Sequence, residues 1–197
     1  MKIYEELKQG TPEWLAVRIG KLTASDAQAI ASNGKGLETL VFEKVAEIMT
    51  GKPKDSYTST DMERGNELEA MARNAYELET GRLVKQVGFI ELDERVGCSP
   101  DGMVEEDGLA EIKCKNDSNF VRFIFDNKID PAHEWQMQYQ MWVTGRKWVD
   151  YVLFNPNFKN PIIITRVMRD EAKIAKIEIG VESAKKQIAG TLQMVNK

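Results

Sequence analysis

"SPDGMVEEDGLAEIKCK", residues 99–115, decides how this chain is read. Asp101 lies in a segment of turn chemistry, where Pro100 presets φ and Gly102 permits an awkward backbone. Ten positions on, Glu111 and Lys113 stand two apart in "GLAEIKC", a run with strand character. Residues i and i+2 of a strand point the same way, so Glu111 and Lys113 share a face while Ile112 turns into the core. Taken singly, these are the parts of a charged surface hairpin. Taken together, a turn that sets Asp101 at a sheet edge and a returning strand that brings Glu111 alongside it make a hard-oxygen site. Two carboxylates and a peptide carbonyl suit Mg²⁺ or Mn²⁺. A neighbouring ammonium can orient a water and offset charge on a phosphate, which suits hydrolysis of a phosphodiester.

Outward from this stretch, punctuation marks the elements. "GTPEWLAVRIG" predicts a helix with Thr11 as N-cap, Pro12 at the first position and Gly20 past the end. In "TASDAQAIA", Ser25 with Gln28 reads as a capping box and predicts a second helix. Residues 37–50 carry apolar side chains at helical spacing, and 52–59 reads as a loop. A long helix is expected from Thr60 to Thr80, with Leu68, Met71, Ala72, Ala75 and Tyr76 on one face and Gly81 closing it. Strands follow in "LVKQVGFIEL", "RVGCS" and "GLAEIKC", then a helix in "NFVRFIFDN". Asp130 and Pro131 start another helix, "WVDYVLFNP" and "PIIITRVM" form a strand pair, and residues 170–195 form a long amphipathic helix. Helices, strands, helix, strands, helix fit an α/β or α+β domain with a small central mixed sheet flanked by helices. A length of 197 residues suits a single domain over 1–197.

Composition agrees with a folded protein: 42% hydrophobic, 29% charged. No apolar run approaches the ~20 residues that span a bilayer, and "MKIYEELKQG" lacks the apolar stretch of a signal peptide. Cys98 and Cys114 have no zinc-type spacing and read as reduced, small, buried side chains of a cytoplasmic protein. The net charge of −4 argues against nonspecific coating of nucleic acid. Charge is segregated, however. Residues 91–111 hold eight acidic residues and one basic, whereas 145–169 hold five basic (Arg146, Lys147, Lys159, Arg166, Arg169) and one acidic.

"PDG…EIK" matches the PD-(D/E)xK nuclease signature. Together with "WLAVRIGKLTASD", "RGNELEAMARNAYE", "CSPDG" and "QMQYQMWVTG", in this order, it resembles the lambda exonuclease and YqaJ-like viral recombinase family, from about Trp14 to Gly145. The resemblance implies a restriction-endonuclease-like core and a Mg²⁺-dependent 5′-to-3′ exonuclease. It would act on linear double-stranded DNA, releasing 5′-mononucleotides and leaving a 3′ single strand for phage-type recombination. It implies catalytic roles for Asp101, Glu111, Lys113, Glu69 and Gln136. The metal set is Asp101, Glu111, Glu69 and the peptide carbonyl of Ile112, for two ions, with Mn²⁺ able to substitute. Arg18, Thr23, Ser25 and Ser99 would hold a terminal 5′-phosphate, a guanidinium and hydroxyls being suited to that anion. A ring-shaped homotrimer, a single-strand annealing partner and a bacterial host cell with phage or prophage origin are implied as well, the basic segment lining the ring's channel. Glu67 reads as a solvated acid beside Glu69. His133, the one histidine, stands where the lambda-type enzyme has a tyrosine and reads as a helix-start residue; Arg64 stands where that enzyme has an aromatic. The rival readings are an endonuclease on the same fold, and a non-catalytic module that binds DNA ends.

Overall fold

The structure, a computed structural model, describes residues 1–54 and 60–195; of residues 60–67 it describes the helical backbone alone. Arg64, Glu67 and most of the loop expected at 52–59 lie outside the described side chains.

Two sheets carry the fold. The smaller is antiparallel, order β1-β3-β4, from β1 (Lys2–Tyr4), β3 (Phe89–Asp93) and β4 (Val96–Cys98). The larger is mixed, order β2-β5-β6-β7-β8: β2 (Val84–Lys85), β5 (Gly102–Val104), β6 (Gly108–Cys114), β7 (Trp148–Phe154) and β8 (Ile162–Met168). Its other pairings are antiparallel, but β6 and β7 run parallel, Glu111 beside Tyr151. A parallel pair needs a long crossover. Here it is α5 (Asp117–Asp126) and α6 (Pro131–Thr144), started by Asn116 and Asp130, whose side chains accept from Asn119 and Ala132 N–H groups. The mixed sheet flanked by helices is the α+β architecture expected, with a second small sheet added.

Three apolar clusters hold the layers. On one face of the large sheet, α4 (Thr60–Thr80) packs Ala72 and Tyr76 onto Ala110, Ile112 and Val152. On the other face, α5 and α6 bring Phe120, Phe123, Met137 and Met141 against Leu109, Val149, Tyr151 and Leu153. The small sheet packs with α2 (Ala27–Ser32), α3 (Lys35–Thr50), α6 and α7 (Glu171–Val195). Thus α6 serves two cores: Met137 and Met141 turn to the large sheet, Tyr139 and Val143 to the helical layer. At Gly180 on α7 there is no room for a β-carbon, because the backbone of Ile30 on α2 occupies that space.

Three local expectations are corrected. Ser99–Gly102 makes no reverse turn; it is the link by which the chain leaves β4 of the small sheet and enters β5 of the large one. The hairpin turn that returns the chain falls at Glu105–Asp107, with Glu105 in the left-handed region at φ 50°. The capping box is Thr23 with Asp26 rather than Ser25 with Gln28; it opens a short 3-10 turn at Ala24–Asp26 ahead of α2. Met71, placed on the buried stripe of α4 by its spacing, is about half exposed, whereas Ala72 and Tyr76 are buried.

Candidate active site and end pocket

The link between the sheets brings the separated acids together. Gly102 pairs with Ala110 across β5 and β6, so Asp101 stands across from Glu111. The Asp101 carboxylate accepts the backbone N–H of Ile112 at 2.6 Å. That bond replaces the turn bond a reverse turn would have made, and it fixes the acid to the strand bearing its partner. Ile112 is buried in the α4-side cluster. Its neighbours Glu111 and Lys113 therefore face the opposite side, toward α6.

Glu111 is 1% exposed, and a buried carboxylate must be satisfied. Its Oε1 accepts from Gln136 Nε2 and pairs with Lys113 Nζ, both at 2.7 Å; its Oε2 accepts from Gln140 Nε2 at 2.7 Å. Gln136 and Gln140 lie four apart on α6, one turn over the other, and grip the two oxygens of one acid. The second glutamine was visible in the spacing, but only Gln136 was assigned a role. The side-chain oxygen Oε1 of Gln140 is buried without a partner among the described residues, because its amide must present the donor end to the acid.

The electrostatics are those of a crowded anionic site. Burial, then repulsion from Glu111, pushes Asp101 well above the usual carboxylate range; Lys113 opposes this and Glu69 adds to it. Burial works against the charge on Lys113, but Glu111 and Asp101 outweigh it and raise its pKa above that of an ordinary lysine. Burial, with Lys113 and Lys115 nearby, lowers His133 to about 4, and its Nδ1 is hydrogen-bonded to the Tyr151 hydroxyl at 2.9 Å. His133 is thus a neutral structural partner of β7 near the site.

The donor set fits a hard divalent cation. Asp101, Glu111 and the Ile112 carbonyl supply only oxygen, and among the described residues the Lys113 ammonium is the cation that acts on the two crowded acids, which leaves a demand for more positive charge. Glu69 stands apart: its carboxylate pairs with Arg73, one helical turn on, at 2.7 Å. Among the described residues no three acidic, cysteine or histidine side chains converge tightly enough to hold an ion. As it stands, the pair Asp101–Glu111 is the candidate centre, with Glu69 on the adjoining helix.

Arg18, Thr23, Ser25 and Ser99 come together from α1 (Pro12–Arg18), the following turn and the sheet link. Arg18 donates to Ser99 Oγ at 3.4 Å and to Thr23 Oγ1 at 3.5 Å, and lies 4.1 Å over the ring of Trp14. Burial lowers its pKa from the ordinary arginine value. Thr23 is buried, and its hydroxyl donates to Asp26 while lying 3.0 Å from Ser25 Oγ. One proton cannot serve both the carboxylate and a ligand, so Thr23 supports Arg18 and Ser25 instead of donating to a ligand. Asp26 in turn lies 3.9 Å from buried Lys44, which pairs with Glu47. Trp14 and Asp26 were missed by the sequence reading, since an indole on a half-apolar helix and an acid after a capping threonine look structural.

The basic segment is largely spent on the chain itself. Arg146 donates to the carbonyls of Val104, Glu105 and Gly108, Lys147 pairs with Asp107, Arg166 with buried Asp150, and Arg169 with Glu171. These four do not form a loose basic stripe.

A mixed α+β core with Glu111 and Lys113 on its central strand, and Asp101 across from them on the link between the sheets, is the class that fold and site define. The chain belongs to the YqaJ-like viral recombinase domain family, whose model matches residues 13–147. It is similar to the alkaline exonuclease LHK-Exo of Laribacter hongkongensis, at 35% identity over 94% of this chain and 96% of that one, with a TM-score of 0.87. That exonuclease has also been solved in complex with dAMP. A phage-related exonuclease from Haemophilus somnus 129PT shares the fold at 18% identity and a TM-score of 0.66, over 89% of this chain and 96% of that one. Among curated proteins none matches. Among the described residues no helix is long and apolar enough to cross a membrane.

Proposed function

We propose that the protein is a metal-dependent exonuclease that degrades the 5′-ended strand of linear duplex DNA, giving 5′-mononucleotides and a 3′ single strand. One observation carries this reading: a buried glutamate, gripped by two glutamines and a lysine, faces a second acid beside a pocket built from an arginine and hydroxyls. Asp101, Glu111 and the Ile112 carbonyl would hold Mg²⁺, or Mn²⁺ in its place, with Glu69 completing the set for two ions. Bound there, the metal supplies Lewis-acid stabilisation of the phosphate and activation of water. Gln136 and Gln140 keep the Glu111 carboxylate facing the site. Lys113 orients the attacking water and offsets the growing charge on the scissile phosphate. Arg18, Ser25 and Ser99 hold the terminal 5′-phosphate, which sets where the strand is cut and in which direction digestion proceeds.

The similarity to an alkaline exonuclease also solved with dAMP supports a nuclease that handles nucleotides. A ring-shaped homotrimer and a single-strand annealing protein remain part of the proposal; a channel would have to draw on basic side chains other than the four paired internally. The test is digestion, with Mg²⁺, of the same DNA as a linear duplex and as a covalently closed circle. The reading expects loss of the linear form and survival of the circle. Cutting of the circle would turn the assignment to an endonuclease.

A further inference from the structure

Ser99 lies two residues before Asp101, and its hydroxyl is committed in an unusual way. Oγ receives the indole N–H of Trp14 at 2.9 Å and a longer bond from Arg18 at 3.4 Å. A hydroxyl has two lone pairs and one proton. Both lone pairs are taken, and among the described residues no acceptor receives the proton. Ser99 can therefore offer an incoming group only a donor. The same indole carries the Arg18 guanidinium on its face at 4.1 Å. Trp14 is itself anchored, its N–H shared with the carbonyl of Gly88 at 3.0 Å and its backbone N–H received by the Thr11 cap.

We propose that Trp14 is the specificity-determining positioning residue of the end pocket: by filling one acceptor site of Ser99 and seating Arg18, it leaves these two to face a ligand as donors alone. Such a pocket takes a terminal phosphate, whose ionised oxygens only accept. A terminal hydroxyl brings no charge, and its proton finds no acceptor at Ser99 or Arg18. The inference rests on the reading of Arg18, Ser25 and Ser99 as the 5′-phosphate site, and names what makes that site selective.

The test is equilibrium binding of the full chain, in metal-free buffer with chelator, to one duplex bearing either a 5′-phosphate or a 5′-hydroxyl, followed by fluorescence anisotropy. Trp14→Phe keeps the ring under Arg18 and removes the N–H. The preference for phosphate should fall about 3- to 10-fold, the range of one uncharged hydrogen bond. Ser99→Ala should also lower it. The double variant should match Ser99→Ala within about twofold, because the indole N–H acts through Ser99. An unchanged preference in Trp14→Phe, or losses that simply multiply in the double variant, would overturn the proposal while leaving the phosphate pocket standing. Absence of any preference in the wild type would remove the pocket and the proposal together. Should Trp14→Phe not fold, the wild type decides. The Trp14 indole N–H resonance should move on adding the 5′-phosphorylated duplex more than with the hydroxyl duplex, and Ser99→Ala should abolish that difference; equal movement with both ends counts against it.

Discussion

Replacing Lys113 by alanine removes one charge from the centre of the site while leaving its frame in place. The Lys113 ammonium lies 2.7 Å from Glu111 Oε1, but Glu111 keeps both glutamine donors, so the acid stays oriented. What is lost is electrostatic stabilisation of the transition state. Loss of one preorganised donor costs about 100- to 1000-fold in turnover, or roughly 2.7–4 kcal/mol. Single-turnover digestion of a 5′-phosphorylated duplex measures this directly, and anisotropy should show a much smaller change in affinity, one phosphate contact among many. The pH profile supplies an internal check. A lysine whose folded pKa is raised stays protonated below that pKa, so wild-type binding of DNA ends in metal-free buffer should show no alkaline fall from Lys113 between about pH 6 and 9. A Lys113→Ala variant with unchanged turnover and weakened binding would refute the reasoning and make Lys113 a positioning contact.

Asp101→Asn should abolish hydrolysis yet bind DNA ends as well as or better than wild type, by anisotropy. The same variant should melt higher in metal-free buffer at neutral pH. Asp101's folded pKa is raised, so its ionised form costs stability as pH climbs out of the ordinary aspartate range, and the gain should vanish as pH falls back into it. Arg18→Ala should erase most of the preference for 5′-phosphorylated ends, a loss of about 10- to 150-fold for a charge-assisted bond worth roughly 1.5–3 kcal/mol, with a small effect on hydroxyl ends; equal slowing of both would make Arg18 a general backbone contact. Arg166→Ala strands Asp150, which is 2% exposed and then keeps, among the described residues, the Tyr76 hydroxyl. Because Arg166 itself is 40% exposed, the cost should sit near the low end for a broken buried pair, about 3 kcal/mol, read as a lower melting temperature.

The helices were legible because their ends are marked by side chains acting locally. Thr11 with Pro12, Asp130 with Pro131 and the glycines after α3, α4 and α6 are caps that sequence alone displays. The long β7–β8 pair was legible for its length. β1 was not, since three residues show no alternation and exist only by pairing with β3; the one strand expected in "LVKQVGFIEL" divides into β2 and β3, which join different sheets. Ser99–Gly102 misled because its turn chemistry serves a passage between sheets, decided by where β4 and β5 find partners. Asp101, Glu111 and Lys113 were readable from strand periodicity and family resemblance. The glutamine grip on Glu111 needed the α6 packing, and the saturation of Thr23 and Ser99 needed hydrogen-bond partners far away in the chain. The basic stretch at 145–169 looked like a DNA-facing stripe, but Asp107, Asp150 and Glu171 claim three of its charges and backbone carbonyls hold Arg146.

The central claim is that Asp101 and Glu111, with a bound divalent cation, hydrolyse DNA from its 5′ end. Linear duplex carrying one label at the 5′ terminus and a different label at the 3′ terminus of the same strand tests it most directly, with Mg²⁺ or with chelator. The account predicts early release of the 5′ label as a mononucleotide, the 3′ label following much later, and no release with chelator or in Asp101→Ala and Glu111→Ala variants. Release of the 3′ label first, or digestion that persists in either variant, would contradict it.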